Sequence, residues 1–82
     1  MRYLIFIPDA MKAQLRALPE PIRQEIGYKL FLLQKDLSGD VKKLKGSKKQ
    51  YRLRVGDYRV LFELEADKIT IYDFGHRRDI YQ

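Results

Sequence analysis

The sequence predicts an α+β domain: a helical hairpin packed on one face of a small, mainly antiparallel four-stranded sheet, in the order β-α-α-β-β-β. Three observations carry this. Ile22, Ile26, Leu30, Leu33 and Leu37 recur at spacings of 4, 4, 3 and 4, the apolar stripe of an amphipathic helix. From Tyr51 onward the period changes to two, with Gly56-Asp57 set between alternating runs, a strong hairpin signal. Prolines at 8, 19 and 21 punctuate the chain where the pattern changes.

Taken in order, Arg2–Ile7 reads as a strand, because Tyr3 to Ile7 is a nearly continuous β-prone run. Pro8 ends it, and Asp9 suits the N-cap of a helix through about Leu18, with Met11, Leu15 and Leu18 on one face. Pro21 fits the first turn of the second helix, which Ser38-Gly39-Asp40 ends. Val41–Gln50 reads as a basic linker. Tyr51–Val55 and Tyr58–Leu64 are the hairpin strands, Glu65–Lys68 a turn, Ile69–Phe74 the last strand, and Gly75–Gln82 a tail. Residues 1–82 are read as a single domain with no repeats. At this length a chain buries only about 60% of its unfolded surface, so the core is small.

Composition narrows the function. One histidine and no cysteine cannot build a standard zinc site or a disulfide framework. A glycine-rich phosphate loop and a serine–histidine–acid set are both absent from the pattern, and no cofactor is expected. With neither a leader pattern nor an apolar run of ~18 residues, a soluble, cytoplasmic protein is expected, without a membrane partner. The net charge of +6 is unevenly placed. Lys42, Lys43, Lys45, Lys48, Lys49, Arg52, Arg54 and Arg59 crowd residues 42–59 with Asp57 as the one acid among them, while residues 1–40 nearly balance. Such a patch suits a polyanion. Lys42–Lys49 alone is the pattern of a solvated loop; beside the hairpin, Lys45, Lys48 and Lys49 become candidate RNA contacts.

A two-residue turn sets the hairpin register. Val55 then faces Tyr58, Arg54 faces Arg59, Leu53 faces Val60, Arg52 faces Leu61 and Tyr51 faces Phe62. The apolar residues gather on one side and Arg52, Arg54 and Arg59 on the other. Like charges directly opposite one another destabilise a sheet, and no acid of the hairpin sits between these guanidiniums. The arrangement suits a phosphate or a phosphoryl transition state. A face selected only for solubility would mix signs. Carrying the alternation through the last strand sets Leu64 opposite Ile69, Leu61 opposite Tyr72 and Arg59 opposite Phe74. Both rings would then lie beside the arginines, where bases of single-stranded RNA can stack. The same register turns Asp73 toward the helices, which requires either a bulge or an end to the alternation. The tail adds His76, Arg77, Arg78 and Tyr81. Histidine is the side chain that titrates near neutrality, so His76 is a candidate for acid–base work. Without a metal, RNA is cut by its own 2′-hydroxyl. The 2′-oxygen loses its proton, the pentacoordinate phosphate is stabilised, and the 5′-oxygen gains a proton as it leaves.

Tyr51-Arg52-Leu53-Arg54-Val55-Gly56-Asp57-Tyr58-Arg59-Val60, followed by Gly75-His76-Arg77-Arg78-Asp79-Ile80-Tyr81, closely resembles the RelE/ParE toxin superfamily on its RelE side. Leu44-Lys45-Gly46 and the Pro-Asp-Ala start of the first helix match as well, and the resemblance covers essentially the whole chain. It implies the toxin of a type II toxin–antitoxin system. Such a toxin is an mRNA endoribonuclease (an mRNA interferase) that works in the ribosomal A site, inhibits translation and is neutralised by a cognate antitoxin on a separate chain. It also implies catalytic roles for Arg52, Arg54, Arg59, His76, Arg77 and Tyr81; Tyr72 and Phe74, placed by the register, and Arg78 in the tail are candidate RNA contacts. Arg52 and Arg54 stand where well-known members carry lysine. A guanidinium does not give up its proton in proteins, so these arginines stabilise charge and proton transfer moves toward His76 or Tyr81. The sequence ends one residue after Tyr81, leaving no C-terminal helix of the kind some relatives use. Two other readings compete: a ParE-like gyrase poison with the same fold, and an RNA-binding module without activity.

Overall fold

The computed structural model describes residues 2–37, 39–46 and 48–76. Its elements are β1 (Leu4–Phe6), α1 (Asp9–Arg16), α2 (Glu20–Asp36), β2 (Asp40–Lys43), β3 (Gln50–Val55), β4 (Tyr58–Glu65) and β5 (Lys68–His76). The strands form one sheet in the order β1-β5-β4-β3-β2. Only β1 runs parallel to its neighbour, β5; the other pairings are antiparallel. The α1–α2 hairpin supplies the long connection from β1 at one edge to β2 at the other.

The α+β class holds, with five strands rather than four. The added strand, β2, spans Asp40, expected to end the second helix, and the first three residues of the segment expected to be a linker. Asp40–Lys43 contains one apolar residue, Val41, so its period-two signal is a single residue long. Pairing makes it a strand: Val41 sits opposite Leu53 and packs against the core, while Lys42 and Lys43 stay exposed. Lysines on an edge strand also discourage further strand pairing.

Both helices start on proline. Asp9 is the first residue of α1 rather than its cap. Pro8 takes the cap position, its carbonyl accepting the N–H groups of Met11 and Lys12 at 2.9 Å each. The Asp9 carboxylate then lies in the first turn, where the helix dipole favours it. In α2 the expected stripe is the buried one: Ile26 and Leu33 are fully buried, Leu30 nearly so, and Ile22 and Leu37 pack beside them. Leu37 ends the helix in the left-handed region, φ 61°, donating its N–H to Leu33 O at 2.8 Å.

The sheet covers this stripe with Leu53, Val55, Val60, Phe62, Ile69, Ile71 and Phe74. The β3–β4 register is the expected one, from Val55 opposite Tyr58 to Tyr51 opposite Phe62. Between β4 and β5 the expectation holds as far as Phe62 opposite Ile71 and then fails. Leu61 pairs with Asp73, Val60 with Phe74, Arg59 with Gly75 and Tyr58 with His76. Tyr72 is the extra residue of a β-bulge. Uninterrupted alternation would have put the Asp73 carboxylate in the apolar layer, which is costly, and the Phe74 ring in water. One inserted residue exchanges them.

Candidate nucleic-acid interface

The side of the sheet away from the helices reads as rows of cross-strand neighbours. One row is Gly75, Arg59, Arg54 and Asp40; the next is Asp73, Leu61, Arg52 and Lys42; the third is Thr70, Glu63 and Gln50. Arg54 and Arg59 therefore do face each other, with Arg52 two residues along β3 on the same side. Their environments differ. Arg59 is only 6% exposed, and its Nη1 donates to Tyr58 O at 3.3 Å. Arg54 is exposed, with its Nε donating to Gly56 O at 3.3 Å. The Arg52 side chain is largely buried. Its Nη2 lies 4.0 Å from Asp40 Oδ1, and among the described residues its Nε meets no hydrogen-bond partner.

Acids do reach this face, contrary to the expectation drawn from the hairpin alone. Asp40 arrives on β2 and Asp73 through the bulge. The Arg52–Asp40 ion pair is long and its carboxylate exposed, a geometry worth little in water. A buried guanidinium nitrogen without an acceptor is costly, so Arg52 is a group on this face that gains from an anion.

Tyr72 lies on this face as expected. Burial, followed by the nearby carboxylates of Glu63 and Asp73, raises its pKa above the usual 10.0. The phenol thus keeps its proton through the neutral range and is able to donate a hydrogen bond. Phe74 does not share the face; it is 5% exposed in the core opposite Val60, and its RNA-contact role is withdrawn. His76 belongs to β5 rather than to a tail. It pairs with Tyr58, its ring edge-on to the tyrosine with centroids 5.4 Å apart. By alternation from Phe74 this is the helix-facing side of the sheet, so the structure does not bring His76 in among the arginines. Lys45, Lys48 and Lys49 are exposed in the β2–β3 loop, at the opposite end of β3 from Arg54. About 15 Å of strand separates them from the Arg54–Arg59 row. Arg77, Arg78 and Tyr81 lie outside the described residues.

Two residues of the face escaped sequence reasoning, Lys42 and Asp40, because their strand did. The available signal was the Asp40-Val41-Lys42 alternation opposite Arg54-Leu53-Arg52. Among the described residues no group of three histidine, cysteine or acidic side chains stands close enough to hold a metal, and no helix is long and apolar enough to cross a membrane.

The family model described as the ParE toxin of type II toxin–antitoxin systems, parDE, matches residues 5–81. Toxin RelE3 of Methanocaldococcus jannaschii is 46% identical over 46 residues, which take in 56% of this chain and 52%, about half, of that toxin. Among solved structures, a chain of the RelB–RelE antitoxin–toxin complex from Methanococcus jannaschii is 31% identical, with TM-score 0.78 over 93% of this chain and 94% of that one. Free E. coli RelE, at 19% identity, matches with TM-score 0.81 over 98% of this chain and 88% of its own, a likeness of fold alone.

Proposed function

The chain belongs to the RelE/ParE superfamily of toxins of type II toxin–antitoxin systems, and from that premise we propose that it is an mRNA endoribonuclease. In this reading it cuts ribosome-bound mRNA in the A site by 2′-hydroxyl attack. The observation that carries the proposal is the row pairing Arg54 with Arg59, with Arg52 beside it. A rigid sheet holds three guanidiniums together at a cost in stability, and a phosphate undergoing transfer is the ligand that repays such an arrangement.

In the proposed step the 2′-oxygen attacks the adjacent phosphorus and the bond to the 5′-oxygen breaks, leaving a 2′,3′-cyclic phosphate and a 5′-hydroxyl. Arg52, Arg54 and Arg59 stabilise the added negative charge of the pentacoordinate phosphate, with Arg77 as a fourth. One proton leaves the 2′-hydroxyl and one reaches the 5′-oxygen. Those transfers fall to Tyr81 and His76. Tyr81 is the better candidate, because the His76 ring is turned to Tyr58. Tyr72, protonated and half-buried, donates to or stacks on a base, and Lys42 adds an amine beside Arg52. Lys45, Lys48, Lys49 and Arg78 extend the basic surface that holds the RNA strand. No cofactor enters the scheme.

A cognate antitoxin completes it. A chain of charge +6 aimed at RNA needs an acidic partner while idle, and the relatives from M. jannaschii and Pyrococcus horikoshii were solved as RelB–RelE complexes. The matched family model carries the ParE name, so a gyrase poison is the second reading. Parallel assays of translation and of gyrase supercoiling separate the two. The purified chain is expected to stop translation and leave supercoiling untouched. Arg59→Ala, shown folded by circular dichroism, is expected to lose the inhibition. Inhibited supercoiling, or full translational arrest by folded Arg59→Ala, contradicts the proposal.

A further inference from the structure

The solvent side of α2 carries a pattern that neither the core nor the arginine face uses. Glu20, Gln24, Gly27, Tyr28, Phe31 and Lys35 are all exposed, Tyr28 to 59% and Phe31 to 49%. At about 100° per residue they fall within one arc of about 100°, opposite Ile26, Leu30 and Leu33. Gly27 is the unexplained member. It sits in the middle of a 17-residue helix, its φ is not positive, and a Cβ added there would meet nothing within 4 Å. Glycine is the poorest helix former after proline, and no contact among the described residues asks for its small size. A missing side chain beside two exposed aromatics, Tyr28 and Phe31, fits a second element approaching from outside.

The order of the stripe says which element. The spacings along it are 4, 3, 1, 3 and 4, the same read from either end. Laid antiparallel on a copy of itself about the midpoint of Gly27 and Tyr28, the helix sets Glu20 level with Lys35 and Gln24 level with Phe31, each pairing occurring twice, as two-fold symmetry requires. At the axis the two Gly27 residues adjoin on one side, where the missing side chains let the helices approach closely, and the two Tyr28 rings adjoin on the other, while opposite charges meet at both ends. With one acid and one base the stripe is neutral, so two copies of a +6 chain can approach here without the repulsion found elsewhere on their surfaces. We propose that α2 is a homodimer interface, two copies packing antiparallel across Gly27 and Tyr28.

The arginine faces, on the far side of each sheet, point outward in this dimer and stay open. One helix–helix contact buries less than the ~1,200 Å² of a standard interface, so association is weak and depends on concentration. Lys35 Nζ, 5.0 Å from the centre of its own Phe31 ring, moves on association to a carboxylate of the other copy.

Sedimentation equilibrium on the purified chain over a concentration series tests this. The wild type is expected to follow a reversible monomer–dimer equilibrium. Gly27→Ala is expected to melt at a higher temperature, as a better helix, and yet to dimerise severalfold more weakly. Glu20→Lys alone is expected to weaken the dimer, and Glu20→Lys with Lys35→Glu to restore it. A wild type that is monomeric at every concentration overturns the proposal and leaves the stripe to a different protein. So does a Gly27→Ala chain that dimerises as well as wild type, or a double exchange no tighter than the single one.

Discussion

Arg54 and Arg59 face each other on adjacent strands, and a pair of like charges so placed works against the sheet that holds it. The two are not equivalent. Arg59 is buried, so its removal takes packing as well as charge. Arg54 is exposed and held by one long bond to Gly56 O. Arg54→Ala therefore separates stability from function. Removing one member of a like-charge cross-strand pair is expected to leave stability unchanged or raise it by about 0.5 kcal/mol, while cleavage of RNA falls. Urea unfolding beside a cleavage assay reads both. A variant that unfolds more easily and cuts normally would make these arginines structural. At Tyr72 the raised pKa keeps the phenol protonated at neutral pH, so in the proposed function it donates a hydrogen bond to RNA and is no base.

At the scale of elements, the bulge at Leu61 and Phe62 decides which side chains share a face. It places Phe74 in the core and Tyr72 with the arginines, and stability should report this. Phe74→Ala is expected to cost about 3–5 kcal/mol, the usual range for a buried phenylalanine. Tyr72→Ala, at a half-buried position on the open face, is expected to cost about 1 kcal/mol. Denaturant unfolding of the two gives the order, and equal or inverted losses would place the bulge elsewhere. The same pair of residues shows what was legible beforehand. The β3–β4 register could be read directly, because a two-residue turn at Gly56-Asp57 admits one pairing. The helices could be read because five apolar residues repeat in phase on α2. The bulge could not, since alternation has no term for an inserted residue; its one trace was the charge of Asp73 on the wrong side. Nor could β2, whose four residues hold a single apolar side chain. With β2 went Asp40 and Lys42, and with the bulge went the true neighbours of Arg59, so the arginines were found and their surroundings were not.

In the whole molecule the sheet divides the labour. Its helix side buries the apolar residues of β3, β4 and β5 against α2, and its open side carries the guanidiniums. The two tasks share strands but no side chains, so the ligand face can carry destabilising charge while the core on the other side keeps the fold. In the proposed function the charge of +6 acts on encounter, since a basic surface of this kind attracts a polyanion or an acidic partner. This open face, in the proposed function, supports attack by the 2′-hydroxyl of ribosome-bound mRNA. Primer extension on mRNA held in programmed ribosomes tests it most directly, with the protein added and the cut position mapped. A new end within the A-site codon is expected, lost when the nucleotide 5′ of the cut carries a 2′-deoxy sugar and lost again with folded Arg59→Ala. A cut that survives the 2′-deoxy substitution, or translational arrest with the mRNA intact, would contradict it.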